Sequence, residues 1–523
     1  MGSTSDAKQT NSEPSLEVSQ SHAFGIAARV IRGGAWNVSA QTLALLTSLV
    51  TTPFVIRLLG TEEYGLLTLV NLLTSYFGFA DLGMGVASTK FAAEASARED
   101  EPEESRVVWT SVLISLFPVL TFAAMFVFGA SALADGVFRL PQDKHTEAVA
   151  ALRVAAVVLV ATAASGVFNT PQIVRLRVGL NSAITLTATV TQVCLILTAL
   201  CLGGRLLAVV GVMGAVAVST ACVHFFVSSR LLPTMLKPVL DRRLIRPMAR
   251  FGMGVVASAV IGTVTVHGEK FLLARFASVS MLAYYNVAFT LAGLLGMVPA
   301  ATSLPLMPSL VQLKVSGNHE GLERLYRTML RLLVFWTLPA ALGLSALAHP
   351  FFTLWAGPGF GRESTLPFYI LAIGWLFQSA SSVPRCVLSA WGRVELIARY
   401  QAFEMVPYVI VVVILIGRFG VVGAAAAWGL RALVECFLVF RAARRLAGFS
   451  YSPFREIRGM HLVALGVLSA PLVLVAPRLS LPVILIPATM LSIVGYSVLI
   501  FRRLLSDEER DWVKSLWSRF LRQ

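Results

Sequence analysis

The sequence predicts an all-α polytopic membrane protein of about fourteen transmembrane helices, arranged as two six-helix lobes in a parallel pseudo-two-fold repeat with two extra C-terminal helices. Three observations carry this prediction. Apolar stretches, each close to the ~20 residues a helix needs to cross a bilayer, run from Ala35 to Phe501 with no gap large enough for a soluble domain. The basic residues separate by parity between successive gaps, and two segments of the first half recur in the same order in the second. Within hydrocarbon, spans of this length must be helices, because only then do all backbone N–H and C=O groups find partners inside the segment.

Composition excludes the soluble alternatives. Hydrophobic residues make up 56% of the chain and charged residues only 14%, with a mean hydropathy of +0.75, so a water-soluble fold would leave most of its apolar surface uncovered. A net charge of +15 would suit nucleic acid if it were clustered. Here the basic residues sit in short segments between apolar spans, where they act as topology signals, and no nucleic-acid partner is expected. Cys194, Cys201, Cys222, Cys386 and Cys436 all fall within apolar spans with no CxxC pair and no His at ligand spacing. They read as small buried hydrophobes, with no metal or cofactor implied.

The elements follow in order. Residues 1–24, rich in Ser, Gln, Thr and Glu and without an apolar core, read as a disordered cytoplasmic tail instead of a signal peptide. An N-lobe over 25–230 holds spans near 35–57, 65–88, 107–129, 149–169, 182–203 and 206–229. A basic cytoplasmic linker, 231–250, leads to a C-lobe over 251–445 with spans near 251–276, 283–308, 329–349, 366–390, 399–417 and 420–441. Residues 446–503 carry spans thirteen and fourteen, near 460–477 and 481–501. Over 504–523, Trp512, Leu516, Trp517 and Phe520 recur at helical spacing behind a capping box of Ser506 and Glu509, which suits a helix lying on the cytoplasmic leaflet.

Orientation comes from the loops. Alternate gaps hold Lys90, Arg98 and Arg106, then Arg175 and Arg177, then the Arg230–Arg250 cluster, and so on to Arg502 and Arg503, while the intervening gaps are sparse. Basic loops are retained on the cytoplasmic side during insertion, so both termini are expected inside. The repeat is read from VIRLLGTEEYGLLTLV, Val55–Val70, against LARFASVSMLAYYNVA, Leu273–Ala288, about 218 positions later, and from GGRLLAVVG, Gly203–Gly211, against IGRFGVVG, Ile416–Gly423. An even number of spans separates the copies, so both halves insert with the same orientation and a central cleft between two lobes is expected.

The stretch TPFVIRLLGTEEYGLLTLVNLLTSYFGFADLGMGVASTKFAAE, Thr51–Glu94, resembles the opening of Wzx-type polysaccharide flippases of the multidrug, oligosaccharidyl-lipid and polysaccharide exporter superfamily. HGEKFLLARFASVSMLAYYNVA, His267–Ala288, resembles the seventh-to-eighth helix signature of the same family, with Glu269 and Lys270 where an Asp followed by Arg or Lys is usual. The resemblance implies a carrier that moves undecaprenyl-diphosphate-linked oligosaccharide across the bacterial inner membrane by alternating access, for cell-surface polysaccharide synthesis. Membrane lipids, and a polysaccharide polymerase or other envelope assembly proteins, are the further partners it implies.

Polar residues inside the spans give the candidate site. Ser258, Gly262, Thr265 and Glu269 lie on one row of span seven, with Ala259, Thr263, His267 and Lys270 on the next. A charge facing lipid costs at least ~2.5 kcal/mol, so this face should meet protein or water. In span one, Asn37, Gln41, Ala44 and Ser48 trace a similar stripe, and Thr52 corresponds to Lys270 in the repeat. Lys270 is the first candidate for a phosphate contact, with Arg57 and Arg275 at span ends, where they could instead snorkel to the interface. Gln41, Asn37, Thr263 and His267 complete the substrate-binding set. Glu269, Asp81 and Glu404 are coupling-ion candidates. Asp81 could instead cap a helix break, and Arg431 with Glu435 reads as a structural i, i+4 ion pair. Pro299, Pro305 and Pro308 in span eight suggest a bend.

A polytopic polymerase or ligase would need a large external loop with convergent catalytic groups. The external gaps are short, His145 and His349 are isolated, and no HExxH, GxSxG or P-loop pattern occurs. An enzyme is therefore not expected. A lipid II flippase or a cation-coupled multidrug exporter of the same superfamily is the nearer alternative.

Overall fold

The computed structural model describes residue 43 and residues 47–137, 142–175 and 177–449, and within the helix of span seven the side chains at 257–259 and 261–266 are not described. Among the described residues every regular element is helical. Eight helices are long and apolar enough to cross a membrane, with a shorter apolar helix, α1, at Thr47–Leu59. The expected tail at 1–24, Asn37, Gln41, spans thirteen and fourteen and the terminal amphipathic helix lie outside the described residues.

The first half runs α2 (Thr61–Tyr76), a 3₁₀ turn (Phe77–Asp81), α3 (Met84–Ala97), α4 (Glu101–Phe128), α5 (Gln142–Phe168), α6 (Thr170–Val174), α7 (Val178–Cys201) and α8 (Leu206–Leu231), with short segments besides at Ala130–Ala132, Leu133–Val137 and Pro233–Leu236 that stand outside the repeated order. A 35-residue helix, α9 (Arg242–Phe276), then joins the linker to span seven. The second half repeats the order: α10 (Val279–Gly293), a 3₁₀ turn (Leu294–Gly296), α11 (Met297–Val315), α12 (His319–Ala356), α13 (Pro358–Ala380), α14 (Ser382–Ala390) and α15 (Val394–Ala447). Corresponding elements from α2 onward begin about 212 to 218 positions apart. The repeat read from two short motifs thus extends to the helix breaks themselves.

Several expected spans are interrupted, each for an identifiable reason. Span two, drawn as 65–88, breaks after Tyr76, where Leu82 (φ 54°) and Gly83 (φ 66°) take left-handed conformations and Asp81 accepts the amides of Gly83 (2.8 Å) and Gly85 (3.3 Å). Span eight, drawn as 283–308, breaks at Leu294–Gly296. Pro299 has no N–H to give the carbonyl four residues back, and the Ser379 hydroxyl donates to that Leu295 oxygen at 3.3 Å instead. Span ten breaks at Ser381 between α13 and α14. Spans eleven and twelve join in the 54 residues of α15, which Gly420 divides with φ 54° and ψ −125°, a conformation that L side chains rarely adopt. The external gap drawn at 350–365 shrinks to Gly357 between α12 and α13.

The helices group into two compact units. Within the described residues, one takes in Phe77–Ala130 and Val149–Val256, and the other Thr52–Tyr76, Ser131–Ala148 and the described part of Ala257–Gln523. The division differs from lobes cut at 230 and 251, because the break at Phe77–Asp81 lets α2 leave the rest of the first half. In the second unit α2 packs on α10, α10 on α13, and α13 on both α12 and α15. Gly65 permits the first contact, since a Cβ there would run into the Val279 carbonyl. In the first unit α3 lies against α4 and α6, and α8 against α7 and α6.

Polarity is inverted relative to a water-soluble protein. Phe117, Phe128 and Phe403 are 80%, 83% and 77% exposed, whereas Glu63, Glu104, Gln172, His224, Glu269, Arg431 and Glu435 are buried. Hydrocarbon around the protein accounts for both halves of this pattern: apolar side chains face lipid at no cost, and polar groups gather inside where partners exist. The chain is a multi-pass membrane protein.

Candidate functional site

The polar end of span seven enters a buried network in the second unit. Glu269, fully enclosed, accepts the Tyr285 hydroxyl on Oε1 at 3.1 Å and the Tyr408 hydroxyl on Oε2 at 2.7 Å. Lys270, next in sequence, donates from Nζ to Asn286 Oδ1 at 3.1 Å, and its ammonium sits 4.2 Å from the centre of the Phe289 ring. Adjacent residues on a helix point about 100° apart, so the carboxylate and the ammonium are satisfied separately, by different partners. A neutral amide and a ring face leave the lysine its positive charge and spare donors.

One face of α10 supplies most of this, because Tyr285, Asn286 and Phe289 fall at i, i+1 and i+4. The Ser364 hydroxyl of α13 donates to the Tyr284 carbonyl at 3.0 Å, fixing α10 at its other end from the Leu295 contact. From α2 the Tyr64 hydroxyl lies beside Asn286, Thr68 and Thr52, so the position that matches Lys270 in the repeat lies two side chains away from the lysine. From α15 come Tyr408 before Gly420 and Arg431 after it, with the guanidinium 5.8 Å from the Tyr408 ring and 5.6 Å from that of Trp428.

Beside these lies a cavity of about 250 Å³ lined by Phe403, Glu404, Tyr408 and Arg431 among others. Neither carboxylate oxygen of Glu404 has a hydrogen-bond partner. Arg431 donates to Glu435 at 2.9 Å across one helical turn, so the ion pair read from the spacing forms. It is part of a larger cluster, because Gln401 (3.2 Å) and Arg385 also donate to Glu435.

Of the other candidates, Arg57, Arg275 and Asp81 stand apart from this network, and His267 adjoins it. Arg57 is exposed and donates to the Leu354 carbonyl, and the Arg275 guanidinium lies 5.6 Å from the Phe276 ring; both occupy helix ends. Asp81, in the first unit, spends its carboxylate on the amides of its own turn, as a cap does. His267 lies beside Phe289, ring centres 6.2 Å apart, with Nδ1 enclosed and unpartnered. The Thr263 side chain lies outside the description. Among the described residues no group of three or more His, Cys, Asp or Glu could hold a metal ion.

Tyr285, Asn286, Phe289, Tyr408 and Trp375 were absent from the sequence-based set. The YYN run at 284–286 was the available signal, since it lies one turn before Phe289 on the span that follows the Glu-Lys pair. In the first unit, Gln172 contacts His224 Nδ1 (3.2 Å) and donates to Ser228 Oγ (3.1 Å). Gln172 occupies the repeat position of Arg385, since each follows a proline, Pro171 and Pro384.

Comparison with known proteins places the chain in a wider group. A family model described as polysaccharide biosynthesis protein matches residues 30–314. The "Putative O-antigen transporter" of Shigella flexneri is 21% identical over 420 residues, covering 78% of this chain and 96% of that protein. The "Uncharacterized membrane protein EpsK" of Bacillus subtilis (strain 168) is 25% identical over 362 residues, covering 66% and 69%. In fold, the chain is similar to the lipid II flippase MurJ in an inward closed conformation (TM-score 0.70, 12% identity, 91% of this chain and 100% of that one). It is also similar to an inward-facing multidrug resistance MATE family transporter (TM-score 0.59, 15% identity, 77% and 94%).

Proposed function

The chain belongs to the polysaccharide biosynthesis protein family, and on that premise we propose that it is a flippase for polyprenyl-diphosphate-linked oligosaccharide units. It would carry them across the bacterial inner membrane by alternating access, with both termini cytoplasmic. The likeness to an O-antigen transporter over nearly the whole of that protein supports a lipid-linked saccharide as the cargo. The observation that carries the reading is Lys270: a lysine buried in a membrane span, bonded to a neutral amide instead of its neighbouring carboxylate. Glu269 supplies an opposite charge nearby, but its oxygens accept from two tyrosines, so the ammonium keeps donor capacity that a lipid diphosphate can take.

In this reading Lys270 contacts the diphosphate, and Asn286, Tyr64 and Thr52 orient it. Glu269 and Glu404 are the coupling-ion candidates, because both are carboxylates within membrane spans and Glu404 has no partner. Arg57 and Arg275 at the helix ends would meet the headgroup only as it enters or leaves. The whole-length likeness to a lipid II flippase favours that activity as the second reading, and both cargoes share a polyprenyl diphosphate.

Reconstitution tests the proposal. Proteoliposomes holding the full chain should move a fluorescent polyprenyl-diphosphate oligosaccharide, and Lys270→Ala should slow transport by about tenfold or more, the worth of one charge-assisted contact. Glu269→Gln should impair transport if that carboxylate takes part in coupling. Unchanged transport by both variants would remove this site from the mechanism, while transport of lipid II alone would establish the second reading.

A further inference from the structure

The surroundings of Phe289 hold more polar capacity than a lysine and a carboxylate use. Its ring is met by Tyr285 at 5.8 Å, Trp375 at 5.9 Å and Trp428 at 5.3 Å between ring centres, as well as by His267 and by the Lys270 ammonium. The two tryptophans are themselves 5.4 Å apart. Around this one ring, the indole N–H groups of Trp375 and Trp428 and Nδ1 of His267 are enclosed without a hydrogen-bond partner, and so is Oε1 of Gln378, one turn beyond Trp375 on α13. An aromatic core that served packing alone would not gather unmade donors and acceptors.

The two tryptophans differ in access. Trp428 is sealed in the interior, whereas Trp375, Gln378 and His267 are each only partly buried. The indole of Trp375 lies on the bare backbone where α10 passes into the 3₁₀ turn: a Cβ on Gly296 would come within 2.7 Å of it, and one on Gly293 within 3.6 Å. The glycines therefore set its position. Trp375, Gln378 and His267 each keep some exposed surface, and an indole with an amide and an imidazole beside it combines apolar ring area with hydrogen-bonding groups. That is the chemistry of a pyranose, and the neighbouring ammonium supplies a place for an anionic group attached to it.

We infer that Trp375, Gln378 and His267 form the saccharide-recognition wall of this site, taking the sugar ring next to the diphosphate held at Lys270. The inference rests on the flippase reading and deepens it. Native mass spectrometry of the full chain in detergent separates bound lipids by mass. Undecaprenyl diphosphate can thus compete in one sample with the same lipid carrying one N-acetylglucosamine or one galactose.

The wild type should hold at least one glycosylated lipid about fivefold more tightly than the bare one, the usual size of a stacking and hydrogen-bonding increment. Trp375→Leu and Gln378→Leu should each bring that ratio close to one without changing affinity for the bare lipid, and Lys270→Ala should weaken all three lipids alike. A wild-type ratio of one, or an equal loss for bare and glycosylated lipid in both wall variants, would overturn the inference and leave the flippase reading standing. Failure of the wild type to bind any of the three would overturn both.

Discussion

Each buried charge in the second unit has a different solution, and each solution sets a measurable cost. Glu269 depends on two phenols from two helices, so Tyr408→Phe removes one donor and leaves an enclosed carboxylate oxygen without a partner. The expected loss is about 1–3 kcal/mol, read as a lower thermal midpoint in detergent. The Arg431–Glu435 pair is more exacting. Arg431→Ala should destabilise by about 1–3 kcal/mol, because Glu435 keeps Arg385 and Gln401, whereas Glu435→Leu, which leaves both guanidiniums without their carboxylate, should cost about 3–5 kcal/mol. Equal losses for the two variants would mean that Arg385 does not support Glu435. At this scale the sequence was informative about charge and, apart from the Arg431–Glu435 pair, silent about partners. Glu269 and Lys270 stood out because ionisable groups are rare in apolar spans; Tyr285 and Asn286 did not, since a tyrosine or an asparagine in a span has many structural uses. Asp81 and Arg57 show the converse, being polar residues near span ends whose own turn or a nearby carbonyl absorbs them.

Helices were legible as apolar runs, and their interruptions only in part, Asp81 being read as the cap of a possible break, because a break is made by single residues that hydropathy averages away. Proline in span eight signalled a bend, yet the break falls at Leu294–Gly296, one turn before Pro299, where the missing N–H leaves a carbonyl free. Span two breaks without proline at all, on a left-handed leucine–glycine pair capped by Asp81. In α15 the turn between two spans rests on one residue. Gly420→Ala should destabilise by about 1–3 kcal/mol, since φ 54° with ψ −125° is strained for any L side chain. Gly417→Ala, three residues earlier in regular helix with open space around its Cβ position, should be neutral or stabilise by up to about 1 kcal/mol. Comparing the two by thermal shift separates backbone strain from loss of flexibility, and equal destabilisation by both would contradict the assignment of the turn to Gly420.

At the scale of the whole molecule, the strongest regularity is that two halves with little sequence in common share an order of elements down to their 3₁₀ breaks. The matched residue after the proline differs in chemistry and in partner, Gln172 with His224 in one half and Arg385 with Glu435 in the other. The order of elements is therefore retained more closely than the side chains, which explains why only two short motifs betrayed the repeat. Helix length bears on the proposed topology. The 38 residues of α12 rise about 57 Å, well beyond a hydrocarbon core of ~30 Å, so one end must stand in water. The charged stretch from His319 to Arg327 is that end, and the exposed Arg362 near the start of α13 follows the turn at the opposite one. With basic loops inside, Glu320→Cys and Lys237→Cys should react with a membrane-impermeant maleimide only when the cytoplasmic face is open, and Arg362→Cys should react from the periplasmic side of intact spheroplasts. The native Cys194 and Cys222 are exposed within apolar helices, where a water-borne reagent does not reach, and should stay unlabelled in both cases; Cys201, exposed at the end of α7, is replaced by Ser in every variant. Labelling of Glu320→Cys from outside would invert the proposed orientation and, with it, the face from which Lys270 is loaded.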